Sequence, residues 1–175
     1  MSTRANGSLS ESMDPALVEL FDVSHVIPEL TAATREGVIA EIVAKVAAMG
    51  LVHDARWLEA ALAERERMVP TAMPNGVAFL HARHRAAEKF PKQFLLLARS
   101  GAGVAFGSPD ERPTHLFFLL ALRKDMAHLR WLARLSWICR NRVTIASLLR
   151  APGGEEIAKV LRLGVEELPG NLKQR

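Results

Sequence analysis

Apolar residues recur along this chain in two rhythms, helical towards both ends and continuous or alternating in the middle. Residues 1–13 are polar and rich in Ser and Gly, the composition of a disordered tail. The segment Val23 to Leu30 is short, β-branched and broken by Pro28, so it predicts an edge strand or an extended arm. Thr34 then caps a helix whose apolar positions Val38, Ile39, Ile42, Val43, Val46 and Ala47 repeat at helical spacing, and Gly50 ends it. Asp54 caps a second helix, running through Trp57, Leu58, Ala61 and Leu62 to the charged run Glu64-Arg65-Glu66-Arg67.

The pattern changes after residue 67. Residues 68–76, with two prolines and a glycine, predict a loop. Short apolar strands are expected at Gly76 to Leu80, Phe94 to Ala98 and Leu116 to Leu122. The last two are uninterrupted apolar runs, as in strands covered on both faces. The segment between them is rich in turns, with Val104 to Phe106 as a separate short strand. From Met126 the helical period returns through Leu129, Leu132, Leu135, Ile138 and Cys139, followed by short helices at Thr144 to Arg150 and Glu155 to Leu163. Helices on both sides of a strand-rich centre predict an α/β fold: one mixed sheet sandwiched by helices, a single domain over 21–168. A flexible tail is expected at 1–20 and a C-terminal tail at 169–175.

Composition narrows the function classes. With 49% hydrophobic and 24% charged residues in 175, the chain can bury a proper core. No apolar run reaches the length of a membrane span, and Met1 to Ser12 lacks the layout of a secretory signal. The single cysteine, Cys139, lies in an apolar helical stretch, which predicts an inert buried thiol and a reducing, cytoplasmic setting. The net charge is +4, and Arg130, Arg134, Arg140 and Arg142 crowd one stretch without an acid. No helix-turn-helix, zinc-finger spacing or aromatic-rich strand accompanies them, so nucleic acid is not an expected partner.

Six histidines are the chemical candidates, because no glycine-rich nucleotide loop, cysteine cluster or G-x-S-x-G elbow is present. His25 and His53 sit at element boundaries in polar surroundings, and His84 and His115 look like loop or strand-edge residues. His81 differs, because it closes an apolar strand and is followed at once by Arg83 and Arg85. A side chain there is expected to be held rigidly yet project into solvent. Neutral imidazole is a competent nucleophile, and the doubly charged phosphoramidate it forms needs cations nearby. Arg65 can fold back across the loop to add another. Zinc on His81 and His84 is the competing reading, but further ligands at usual spacing are missing and the local charge repels a cation. No metal or cofactor is therefore expected.

The stretch Asn75-Gly76-Val77-Ala78-Phe79-Leu80-His81-Ala82-Arg83 resembles the active-site segment of the enzyme IIA domains of the sugar phosphotransferase system. The likeness is to the fructose/mannitol class (type 2), which includes the nitrogen-regulatory IIA proteins. It runs from residue 23 to residue 163 and takes in Val26 to Leu30, Glu64-Arg65-Glu66, Phe106 to Asp110, the strand Leu116 to Leu122 and the helix opening at His128-Leu129. The resemblance implies the mannitol/fructose-type IIA fold and assigns three residues by position. His81 would accept a phosphoryl group from phospho-HPr, His128 would steady that group by hydrogen bonding, and Arg65 would meet the phosphoryl group or the partner. It also implies transfer onward to a IIB domain, or use of the phosphorylated state as a regulatory switch.

Two departures stand out. Leu80 replaces the family's proline, which leaves the backbone before His81 freer. Thr71-Ala72-Met73-Pro74 replaces a glycine-rich loop, which restricts backbone approach to the phosphoryl group. Both are expected to slow transfer or retune the partner. The alternative function is a regulatory binding module on the same fold that no longer transfers phosphate.

Overall fold

The computed structural model describes residues 22–173; the tail expected over 1–20 lies outside the described residues. Five strands form one mixed sheet: β1 (Val26–Ile27), β2 (Ala72–Met73), β3 (Val77–Leu80), β4 (Phe94–Val104) and β5 (Thr114–Ala121). Their spatial order is β1-β4-β5-β3-β2. β1 runs parallel to β4 and β3 parallel to β5, whereas β4–β5 and β2–β3 are antiparallel.

Period-two alternation along these strands divides the interior in two. Ala78, Leu80, Leu96, Ala98, Phe117 and Leu119 face the side covered by α1 (Arg35–Ala48) and α2 (Ala55–Met68). Val77, Phe79, Leu95, Leu97, Phe118 and Leu120 face α3 (Asp125–Ile138), α4 (Arg142–Arg150) and α5 (Gly154–Glu166). Both faces of the central strands are therefore dry, which is why their sequences are unbroken apolar runs. The helix starts follow the expected chemistry, with Thr34 accepting from the Gly37 N–H at 3.1 Å and Asp54 from the Trp57 N–H at 3.0 Å.

Several expectations need correction. Val104 is the end of a single eleven-residue strand that also contains the Gly101–Gly103 stretch, so no separate strand forms at 104–106. Gly103 takes the positive φ of 76° that lets the strand continue through an irregular register. Ala72 and Met73 are not loop but a strand paired with Ala78 and Val77, joined to β3 by a Pro-Asn-Gly turn that Gly76 closes at φ 77°. His25 is not in polar surroundings: it is 4% exposed and packs edge-on against Phe94. At the other end, Gly170–Lys173 forms a short turn of helix, α6, where a tail was expected. The buried Arg134 reaches it, its Nε–H donating to the Leu172 carbonyl at 2.7 Å.

One buried cation organises the sheet. Arg99, on β4, donates from Nε to the Pro28 carbonyl at 2.8 Å and from one terminal nitrogen to Leu148, Leu149 and Ala151 carbonyls at 3.0, 3.3 and 2.6 Å. It satisfies the carbonyls at the end of α4, where a positive charge also complements the helix dipole.

Candidate functional site

β3 ends at Leu80, and the chain turns out of the sheet at His81. β5 lies beside β3 and runs the same way, so the segment leaving it ends at the same edge and starts α3, with His128 in the first turn. The two histidines meet there, their ring centroids 4.7 Å apart and tilted by 54°. Arg65 arrives from the last turn of α2. The structure thus brings together all three residues singled out in the sequence.

The hydrogen bonds fix the tautomers. His81 Nδ1 lies 2.8 Å from the Phe79 carbonyl oxygen, an acceptor only, so Nδ1 carries the proton and donates. Its Nε2 then holds the lone pair, which accepts from the Nε–H of Arg65 at 3.1 Å. Arg65 is itself aimed by a second bond, from a terminal nitrogen to the Val69 carbonyl at 2.7 Å. His128 Nδ1 lies 3.2 Å from a terminal nitrogen of Arg85. A guanidinium can only donate, so Nδ1 of neutral His128 is the acceptor and its Nε2 carries the proton. The pair therefore presents one unprotonated ring nitrogen, which accepts from Arg65, and one N–H.

Burial keeps both rings neutral. His81 is pushed from 6.5 down to about 4 by desolvation first, with Arg65 and Arg85 adding to it and the Phe79 hydrogen bond working against them. His128 falls to about 4, again through burial first and then through Arg85, His81 and Arg65. At neutral pH both lone pairs stay unprotonated, which nucleophilic use of His81 Nε2 requires. Arg85 is held by Asp125, whose carboxylate lies 3.4 Å from the Arg85 Nε as an ion pair without hydrogen-bond alignment.

Two expectations about this site are revised. His81 does not project freely into solvent, because the ring is half-buried between Arg65 and His128. Of the two cations that follow it, Arg83 is exposed and only Arg85 turns into the site. His84, the other half of the zinc reading, is exposed too. Among the described residues no three or more of His, Cys, Asp and Glu gather as a metal-ligand group.

The departures at Leu80, Ala72 and Pro74 have structural explanations. Leu80 is 1% exposed and pairs with Leu119, so the ladder and the core fix the backbone that a proline would otherwise stiffen. Ala72 is buried opposite Ala78, and Pro74 sits in the turn before β3, at the end of that strand away from His81. Neither narrows the approach to the imidazole pair.

Sequence reasoning missed two supporting groups. Glu66, only 2% exposed, accepts at 2.7 Å from both the backbone N–H and the hydroxyl of Thr71, clamping the segment that follows α2 beside Arg65. Asp125 was legible in retrospect, since it lies three residues before His128 on one face of a helical first turn. Four apolar side chains close in sequence to the site residues are each more than half exposed: Met68 and Val69 after Arg65, and Met126 and Leu129 on either side of His128 in the chain. Exposed apolar side chains on the elements that carry a polar centre are a common composition of protein-docking surfaces.

Residues 19–163 match the model of the family described as phosphoenolpyruvate-dependent sugar phosphotransferase system, EIIA 2. The chain is 28% identical over 149 residues to a nitrogen regulatory protein of Bradyrhizobium diazoefficiens, covering 84% of this chain and 95% of that one. It is 29% identical over 157 residues to a fructose-specific EIIA component of Haloferax volcanii, covering 85% of this chain and all (100%) of the relative. Its fold matches that of the mannitol enzyme IIA from Escherichia coli, solved in complex with phosphorylated mannitol enzyme IIB, with a TM-score of 0.70 and 20% identity over 81% of this chain and 96% of that one.

Proposed function

The chain belongs to the EIIA 2 family of the phosphoenolpyruvate-dependent sugar phosphotransferase system, and on that premise we propose that it is a phosphocarrier whose acceptor atom is Nε2 of His81. One observation carries this reading: the lone pair of a neutral, half-buried imidazole is held at Nε2 by the bond from Nδ1–H to the Phe79 carbonyl.

In the proposed step, Nε2 attacks the phosphorus of a phosphohistidine on the donor protein, HPr. A new N–P bond forms as the donor's N–P bond breaks, and the leaving electron pair returns to the donor imidazole. Nδ1 keeps its proton throughout. Arg65 swings from the lone pair to the phosphoryl oxygens, and the Nε2–H of His128 and the Arg85 guanidinium offset their charge. In-line transfer of this kind asks the protein for positioning and charge neutralisation rather than for covalent help.

The exposed apolar residues Met68, Val69, Met126 and Leu129, on the two helices that carry Arg65 and His128 or just past their ends, suit docking by a protein donor and a protein acceptor in turn. The complex formed by the mannitol relative favours a IIB domain as one acceptor, and the nitrogen regulatory relative favours use of the phosphorylated state as a signal. On this reading, exchange with HPr would take place in the cytoplasm, and the buried free thiol of Cys139 is compatible with that setting. A second reading also has an observation in its favour. The Nε2 lone pair is occupied by Arg65, as it would be in a binding module that has given up transfer.

Incubation with phosphoenolpyruvate, enzyme I and the cognate HPr, followed by intact-mass measurement, separates the two. The carrier reading expects a gain of one phosphoryl group in the wild type and none in His81→Ala. A wild type that stays unmodified beside a competent HPr selects the binding module.

A further inference from the structure

The basic stretch that ends at Arg142 is not used by the histidine pair. Arg134 is buried, but Arg140 and Arg142 stand exposed at the turn between α3 and α4. Together with Arg112 they line a cleft of about 770 Å³ that also takes in Gly76, before β3, and His115, early in β5. His81 lies past the opposite end of β3, so the cleft and the histidine pair occupy opposite ends of the sheet.

The chemistry of the cleft is two-sided. Among the described residues no carboxylate lines it, and neither Arg140 nor Arg142 is in an ion pair. Arg112 is partly neutralised by Asp110 at 3.8 Å. Asn141, between these two arginines, has its side chain committed to capping α4, where it accepts from the Val143 and Thr144 N–H groups at 2.9 and 3.4 Å. The floor is apolar, made by Ile145 and Leu149 one helical turn apart on α4 and by Met73 from the facing hairpin. The His115 ring is fixed at the wall, its Nδ1 bound to the Ser100 carbonyl at 3.0 Å.

We propose that this cleft binds a small organic phosphate with a flat apolar body, nucleotide in build. The phosphates would sit on the Arg140 and Arg142 guanidiniums, with Arg112 at the margin, and the apolar body would lie on Ile145 and Leu149. Guanidinium forks match phosphate oxygens bidentately, and the volume is in the usual range for a small-molecule site. A purely apolar ligand would leave the cations unmatched, and inorganic phosphate would leave the floor uncovered. The proposal does not rest on phosphoryl transfer at His81.

The test is calorimetric titration of the full chain with ADP, fructose 1,6-bisphosphate and inorganic phosphate, repeated by NMR to locate the shifts. ADP is expected to bind most tightly, with shifts at Arg140, Arg142 and Ile145. The double variant Arg140→Ala/Arg142→Ala should weaken ADP by about tenfold or more, the scale of a lost charge-assisted contact. Leu149→Asp should weaken it as well, while His81→Ala should leave it unchanged. All the altered cleft residues are exposed, and circular dichroism checks that each variant folds. Equal, weak binding of all three anions would overturn the proposal. So would no saturation by ADP at millimolar concentration, or shifts confined to the histidine pair.

Discussion

Replacing Arg85 with leucine removes the group that, among the described residues, decides which nitrogen of His128 carries a proton. The wild-type contact is a guanidinium N–H donating to Nδ1 at 3.2 Å in a partly buried setting, and hydrogen bonds to charged groups contribute about 1.5–3 kcal/mol. A bias of that size favours the Nε2–H tautomer by roughly 10- to 100-fold over what the ring would choose alone. Arg85 is also the largest electrostatic cause of the low His128 pKa after burial, so the variant should titrate above about 4. Long-range proton–nitrogen NMR at neutral pH reads both effects. Wild-type His128 should show a bare Nδ1 and a protonated Nε2. In Arg85→Leu the nitrogen shifts should move towards a mixture, and Arg85→Lys should restore part of the bias by keeping a cationic donor. If His128 is the phosphoryl-steadying donor, transfer to His81 should slow by about 10- to 100-fold in the leucine variant. A wild-type His128 protonated on Nδ1, or unchanged nitrogen shifts in Arg85→Leu, would refute the reasoning whether or not transfer occurs.

Two further outcomes follow from buried groups. In the unfolded chain both histidines take up protons near pH 6.5, whereas in the folded protein they do so near 4. Stability is therefore full above about pH 6.5 and falls as the pH drops towards 4, by about 3 kcal/mol for one histidine. Urea melts across that window should show the fall, and a smaller one in His128→Gln; a flat profile would contradict the burial argument. Arg99→Met should cost about 2–4 kcal/mol, because the Pro28, Leu148, Leu149 and Ala151 carbonyls lose their donor. A loss below about 1 kcal/mol in chemical denaturation would mean that water takes over those carbonyls.

Much of this was legible in the chain because the signals are local. Thr34 and Asp54 announce their helices through side chains that reach only three residues ahead. The unbroken runs of β4 and β5 announce burial on both faces. What was not legible depends on partners distant in sequence. The two-residue strand at Ala72 exists only because β3 offers it an edge, and its composition reads as loop. His25 looked solvated because Phe94, which covers it, lies far along the chain. The same holds at the site. His81, His128 and Arg65 carried a recognisable spacing, but that Arg85 rather than Arg83 would face His128 is set by how the chain bends on leaving β3. Glu66 lay hidden inside a charged run whose other members are solvent-facing or engaged elsewhere.

The parallel pairing of β3 with β5 has a consequence for the folding chain. His81 and His128 come to the same edge only once strands far apart in sequence have zipped together, and closing that loop is among the slower steps available to such a topology. Helices α1 and α2 can flicker into place on their own, with Arg65 already on the second, and still no imidazole pair exists. A nascent or partly melted molecule is thus chemically silent, and any signal carried at this edge reports only on molecules that have finished folding.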